Sequence, residues 1–414
     1  MEEKYLAINA GSSSLKFMLS YMPSGEEIAS GVVEKIGESD AFYTIKYNDQ
    51  KTVEKQFVKN HDQAVNLVLH ELLSKQIITD INEIKGVGHR VAHGGEAFKE
   101  SAIITDEVLD TIKSFTNYAP IHMPGEINGI ESLKEALPNA TPVAVFDTAF
   151  HQTIPQENYM YAVPYSWYEE NGVRKYGFHG TSHKYITEKL SNDFYHRQGL
   201  NLIICHIGSG ASVSCIKNGV CVNTTMGMTP LDGLMMGTRS GNIDAAIVEY
   251  MCKEKNMTVE EVTNALNFES GLLGISGKND YRDVEKLVNA GDPHARLALT
   301  MLEKSIVKYI AEYFFELNGK VDALVFTAGM GENAILLREE IVNLISGPLH
   351  VSLNKETNDN IARFKEFQTG CISGDDSKFD ILVVPTNEEY MILKDTYDLT
   401  ELRKKEIAKR ALRR

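Results

Sequence analysis

The sequence predicts an α/β protein of two domains built on a repeated plan. At 414 residues the chain exceeds one ordinary core. Apolar stretches of period 2, rich in β-branched residues, alternate with stretches of helical period. The segment LAINAGSSSLKFMLS at 6–20 also shares its layout with IICHIGSGASVSCIK at 203–217: apolar strand, polar residue, Gly-and-Ser turn, second strand. Two such hairpins, about half a chain apart, suggest a duplicated core with one hairpin in each domain and a cleft between.

Strands are expected near 4–10, 14–22, 42–48, 85–89, 142–146, 201–206, 211–217, 321–326 and 380–384. Helical spacing marks 61–75, 241–252, 258–268 and 332–346, with a long helix from about 293 to 317 that stops at Asn318-Gly319. The closing stretch ELRKKEIAKRALRR carries Leu402, Ile407, Ala408 and Leu412 at near-helical spacing. It reads as a terminal helix whose cations suit the negative end of its dipole.

Composition narrows the class. A hydrophobic fraction of 43% and a charged fraction of 24% are those of a globular chain. A net charge of -15 speaks against non-specific binding to nucleic acid or an anionic membrane. The start Met-Glu-Glu lacks a leader pattern and no apolar run approaches the ~18 residues of a membrane span, so a cytoplasmic location is expected. The five cysteines, Cys205, Cys215, Cys221, Cys252 and Cys371, form no CxxC pair and read as small buried hydrophobes.

The chemistry concentrates in small-residue stretches. Gly/Ser turns let backbone N–H groups converge on an anion with no Cβ in the way, although the same residues also build ordinary hairpins. A Walker A loop is excluded: in GLLGISGKND, Leu272 stands at the first glycine position and Asn279 where the metal-binding hydroxyl belongs. GSGASV fails GxGxxG at Val213. GHRVAHGGE (88–96), FDTAFHQTIP (146–155), KYGFHGTSH (175–183) and GTRSGNID (237–244) each set a His, Arg or Asp beside small residues. His89, His93 and His151 read as packing histidines. Arg90 and Arg239, flanked by small side chains, suit bidentate binding of carboxylate or phosphate. LVFTAGMGENA (324–334) and ILVVPTNEEY (381–390) both run from a strand into a helix start: the glycines of the first suit a nucleotide base or ribose as well as a plain connection, and in the second Glu388 suits a metal's water, against the plainer reading of capping and dipole compensation.

With INAGSSSLK, GHRVAHGGE, VFDTAFHQTIP, YGFHGTSH, CHIGSGAS, TPLDGLMMGTRSGNID, FTAGMGEN and PTNEE in that order, the sequence resembles the acetate kinase family of short-chain fatty acid kinases. The resemblance implies the architecture of actin and sugar kinases, a ribonuclease H-like topology duplicated in two domains around an active-site cleft, and a homodimer. It places an N-terminal acyl-substrate and phosphate-hairpin domain at 1–150 plus 387–414, and a nucleotide-binding and dimerisation domain at 151–386. Asn9 and Glu388 would serve Mg²⁺, with Mn²⁺ as an alternative. Ser12, Ser14 and Lys16 would meet the phosphates of ATP or ADP, as would His206, Ile207, Gly208, Ser209 and Gly210 on the second hairpin. Arg90 would hold the substrate carboxylate, while Asp147, His179 and Arg239 would surround the transferring phosphoryl group. Asp280, Tyr281 and Arg282, then Gly329, Met330, Gly331, Glu332 and Asn333, would receive the adenosine. Ala92, Ile121, Phe178 and Pro230 would make a small apolar acyl pocket.

The implied reaction is physically coherent. A carboxylate with a pKa of roughly 4 to 5 is already ionised at neutral pH and needs no general base. What it needs is cations around a transition state that spreads negative charge over the equatorial oxygens. Asp147 is accordingly expected to orient a guanidinium or a metal-bound water. Three departures from the family pattern stand out: Ala92 for Val at the acyl pocket, which makes room for propionate; Ser209 for Asn; and Met123 for Asn, with Glu126 also unusual. A sugar-type kinase and a non-enzymatic nucleotide switch are the alternatives on the same fold.

Overall fold

The computed structural model describes residues 2–11, 13–120, 122–361 and 368–411. The chain divides into two compact units, Met1–Phe150 with Asn387–Arg414, and His151–Thr386.

The first unit holds strands β1 (Glu3–Ala10), β2 (Ser14–Met22), β3 (Glu27–Glu34), β4 (Phe42–Tyr47), β5 (Gln50–Lys55), β6 (Ile84–Val91), β7 (Ala102–Ile103) and β8 (Thr141–Phe146). They lie in the order β5-β4-β3-β2-β1-β6-β8-β7. β1 to β5 form an antiparallel meander, β6 runs parallel to β1, and β8 parallel to β6. β1 is buried on both faces. Leu6, Ile8 and Ala10 join the core with Val65, Val68 and Leu72 of the helix His61–Ser74, while Tyr5 and Ala7 pack with Ile392 and Leu393 of the helix Glu388–Ala411. Gly88 on β6 permits that second contact: a Cβ there would lie 2.2 Å from Thr396 Oγ1 and 2.5 Å from Ile392 Cγ2.

The second unit holds β9 (Leu202–Ile207), β10 (Ala211–Lys217), β11 (Val220–Thr224), β12 (Ala323–Thr327), β13 (Gly370–Cys371) and β14 (Asp380–Val383), in the order β11-β10-β9-β12-β14-β13. β9, β10 and β11 are antiparallel neighbours, and β12 runs parallel to β9 and β14. β3-β2-β1-β6-β8 and β11-β10-β9-β12-β14 therefore repeat one plan, an antiparallel three-strand meander extended by two strands parallel to its first. Leu302, Ile306, Ile310 and Tyr313 of the helix Pro293–Glu316 are fully buried in this unit's core.

Differences from the sequence reading have local causes. β3, β5, β7, β11 and β13 go unpredicted; β5, QKTVEK, is an edge strand whose charged side chains and Val53 (55% exposed) leave no apolar face. The helix expected at 241–252 runs Ala246–Lys255, because Gly241 takes φ +67° and the Asp244 carboxylate accepts from Ala246 N–H. The glycines after β12 form a short helix, Ala328–Asn333, that breaks at Ala334 before the helix Ile335–Leu349. The terminal helix begins at Glu388, capped by Asn387 Oδ1 accepting from Tyr390 N–H. Its packing face is Met391, Ile392, Leu393 and Thr396, whereas Leu402 and Ile407 are exposed and Leu412 lies outside the described residues. Cys205, Cys215 and Cys221 are buried as expected, but Cys371 is exposed and Cys252 half-buried; all five are free thiols. Among the described residues no helix is long and apolar enough to cross a membrane.

Candidate active site

In the first unit, parallel strands deliver polar residues to their C-terminal ends, where open α/β sheets place ligands. Asn9 and Arg90 are next to last in β1 and β6, and Asp147 follows β8, its N–H bonded to Val91 O at 3.0 Å. Arg90 binds Asp147 at two points, Nε to Oδ1 at 3.1 Å and Nη2 to Oδ2 at 2.5 Å. Its Nη1 is left for Asn9 Oδ1 at 3.3 Å and faces Glu126 Oε1 at 3.7 Å. Burial works against the Arg90 charge, but Asp147, then Glu126, outweigh it and hold the guanidinium above its ordinary value.

Glu126 is buried in the first turn of the helix Met123–Ala136, and its Oε2 accepts from Ala92 N–H at 2.9 Å. Burial, with a contribution from Asp147, pushes its carboxyl up to about 7. Glu388 behaves alike: burial, then Asp147, raise it to about 7 against the pull of Arg90 and Lys16. Ala92 lies in an apolar cluster with Val91, Met123 and Phe146. Ser14 opens β2 across a turn closed by Gly11 N–H to Ser14 O at 2.8 Å, and Lys16 is exposed opposite Asn9. Ser12 and Ile121 lie outside the described residues.

In the second unit, the turn between β9 and β10 is closed by Gly208 N–H to Gly210 O at 3.0 Å. Three side chains converge beside it. His179, in the left-handed region at φ +58°, opens the helix Gly180–Lys189 and stacks on His206 with centroids 4.1 Å apart. Arg239 Nη1 donates to Pro230 O at 3.2 Å. A Cβ on Gly210 would stand 3.3 Å from Arg239 Nη1 and 3.5 Å from His179 Nε2, so both nitrogens aim at this glycine. Burial lowers the Arg239 guanidinium and takes His206 down to about 4. Phe178 belongs to the core of this unit, its carbonyl accepting from His151 Nε2 at 2.9 Å. His89, His93 and His151 are buried, each held neutral by desolvation, in keeping with packing roles.

Gly208, Ser209, Asp280, Tyr281, Arg282, Gly329, Met330 and Asn333 line a cleft of about 660 Å³, together with Asn279, Glu285 and Leu336. His206, Ile207, Gly210, Gly331 and Glu332 stand outside its lining. Asp280 caps the helix Tyr281–Asn289 and pairs with Arg282 through two bonds of 3.0 and 2.7 Å. Glu332 Oε1 accepts from Thr386 N–H at 3.1 Å, a structural tie between the short helix Ala328–Asn333 and the loop after β14. Arg338, fully buried, donates through Nη1 to Gly331 O and Glu332 O at 2.9 Å each, bracing the cleft wall. No sequence signal marks Arg338, which looks like one more charge on a helix.

A strand-end arginine paired to a carboxylate in one unit, and a glycine turn beside a cleft of about 660 Å³ in the other, fit the phosphoryl-handling class of α/β proteins. Residues 4–394 match the model of the acetokinase family, and the chain belongs to that family. It is 47% identical over 397 residues to acetate kinase 1 of Listeria monocytogenes, covering 95% of this chain and 97% of that one. A crystal structure of Porphyromonas gingivalis acetate kinase superposes with a TM-score of 0.89 at 38% identity, over 96% of this chain and 99% of its own. A propionate kinase from Francisella tularensis gives 0.90 at 38% identity, over 96% and 99%.

Proposed function

We propose that the chain is an ATP-dependent acetate kinase, transferring the γ-phosphoryl group reversibly to acetate to give acetyl phosphate and ADP. The observation that carries this is Arg90, locked at two points by Asp147 with Nη1 turned away from that carboxylate. Such a guanidinium is prepositioned for a small carboxylate. Family membership weighs against the sugar-type kinase and the nucleotide switch.

In this reading a carboxylate oxygen attacks the γ-phosphorus in line as the bond to the ADP oxygen breaks. No proton has to leave the nucleophile, so Asp147 orients Arg90 and abstracts nothing. His179 and Arg239, converging on Gly210, supply donors for charge on the phosphoryl oxygens. The cleft beside Gly208 takes the adenosine, with Ser14 and Lys16 as phosphate contacts of the first hairpin. Asn9 and Glu388 fit Mg²⁺ or Mn²⁺: both offer oxygen, and a carboxyl raised to about 7 by burial gains from a nearby cation. The metal, when bound, would neutralise phosphate charge. Ala92 leaves room for propionate as a second substrate.

A homodimer acting in the cytoplasm, as the family resemblance implies, completes the proposal. Trapping acyl phosphate with hydroxylamine across a series of carboxylates and phosphoryl donors tests the activity, and light scattering tests the dimer. Failure of acetate with every donor would remove the reading.

A further inference from the structure

Ser212, on β10, is fully buried and its Oγ lies 2.9 Å from His179 Nδ1 and 2.8 Å from His183 Nε2. One hydroxyl thus bridges two imidazoles. A hydroxyl carries one proton, and a neutral imidazole has one donor nitrogen and one acceptor, so few proton arrangements are open. His183 is buried among His151, 5.6 Å away edge-on, and His206, 6.0 Å away, and desolvation keeps it neutral. Its Nδ1 is buried and, among the described residues, has no hydrogen-bond partner.

If His183 carried its proton on Nδ1, a buried N–H donor would be orphaned, the rarer and costlier defect; an unpaired acceptor is milder. The proton therefore sits on Nε2 and is donated to Ser212 Oγ. Were His179 Nδ1 also a donor, the Ser212 proton would need a third acceptor, and among the described residues Ser212 Oγ has only these two partners. The hydroxyl therefore donates to His179 Nδ1. That leaves His179 with its proton on Nε2, the nitrogen aimed with Arg239 Nη1 at Gly210.

We infer that Ser212 is a positioning residue that, with His183, fixes His179 as the Nε2–H tautomer and so keeps a neutral hydrogen-bond donor pointed at the phosphoryl site. The tautomer follows from this unit alone; its use in catalysis rests on the acetate kinase reading. Nothing ionises along the chain of bonds, and the donor is in place before the reaction begins.

Histidine-labelled protein, with His179 assigned by its loss in H179Q, gives the tautomer from long-range proton–nitrogen correlations. The wild type is expected to show His179 protonated on Nε2. Ser212→Ala is expected to mix the tautomers and lower kcat about tenfold or more, with KM for acetate and ATP within about twofold. His183→Gln, whose amide can donate from the place of Nε2, should retain both tautomer and kcat, whereas His183→Leu should lose both. An Nδ1–H pattern in the wild type, or an unchanged pattern in Ser212→Ala, would overturn the inference. A wild type with the Nε2–H pattern but no acyl phosphate formation would sustain the tautomer and defeat the acetate kinase reading instead.

Discussion

Arg90 and Asp147 form a two-point pair, 3.1 and 2.5 Å, that spends two of the three guanidinium nitrogens, while Nη1 donates to Asn9 Oδ1 at 3.3 Å. The pair is a positioning device, since a guanidinium held in one plane loses little freedom when it binds a carboxylate. Asp147→Asn keeps the shape but removes the charge and one acceptor. It is expected to cost about 1.5–3 kcal/mol in kcat/KM for acetate, roughly ten- to 150-fold, with the KM for ATP little moved. Arg90→Lys should fare no better, because an ammonium cannot reproduce the fork. Steady-state kinetics of both variants check this, and wild-type values for Asp147→Asn would leave the pair without a role.

Ala92 presents one methyl in a cluster with Val91, Met123 and Phe146. Ala92→Val adds two carbons beside the proposed acyl site, and pocket fit of that size is worth ~1–3 kcal/mol. The variant should lose propionate efficiency about tenfold relative to acetate. Competing the two acids in one hydroxylamine assay measures the ratio directly. An unchanged ratio would place the selectivity elsewhere.

Glu126 makes stability depend on pH. Its carboxyl rises from 4.5 to about 7 on folding, through burial first and Asp147 as well, outweighing Arg90 and the Ala92 N–H. The folded chain thus holds this proton more tightly than the unfolded one, so stability is greatest below the unfolded value and falls as pH rises from about 4.5 through about 7. Glu126→Gln lacks the ionisation. Its stability relative to wild type should improve by about 1–3 kcal/mol between pH 5 and pH 8. Thermal unfolding at the two pH values gives the difference, and a constant offset would remove Glu126 as its source.

Much of this arrangement is legible in the sequence, for a physical reason. β1, β2, β9 and β10 alternate or run apolar because they are central strands, and the Gly/Ser turns joining them advertise both hairpins. Arg90 and Arg239 stand out because small neighbours leave a guanidinium conspicuous. Tertiary partners carry no such local mark. Glu126 reaches Ala92 across 34 positions, and Ser212 reaches His179 and His183 across 33 and 29. Glu332 stands in a stretch that looks like a nucleotide loop, yet its carboxylate is engaged with Thr386 N–H, a bond that only the folded chain creates.

Gly210 tests the second constellation without disturbing the first. Its φ is outside the left-handed region and its carbonyl closes the hairpin turn, so alanine fits the backbone and keeps the bond from Gly208 N–H. The added methyl would meet Arg239 Nη1 at 3.3 Å and His179 Nε2 at 3.5 Å, filling the point on which the two donors converge. Both contacts are with side-chain atoms that can give by a few tenths of an ångström. Gly210→Ala should therefore unfold within about 1 kcal/mol of wild type, which for a chain of this size shifts Tm by about 2–4 °C or less. Catalysis should suffer far more, since an anion displaced from two donors loses about a hundredfold in kcat or more. Gly329→Ala is the control: a Cβ there meets nothing within 4 Å, so the fold should be unchanged and any effect confined to nucleotide affinity. Calorimetry beside kcat for the two variants separates the cases. A Gly210→Ala enzyme that turns over like wild type would mean that the phosphoryl group does not pass this glycine.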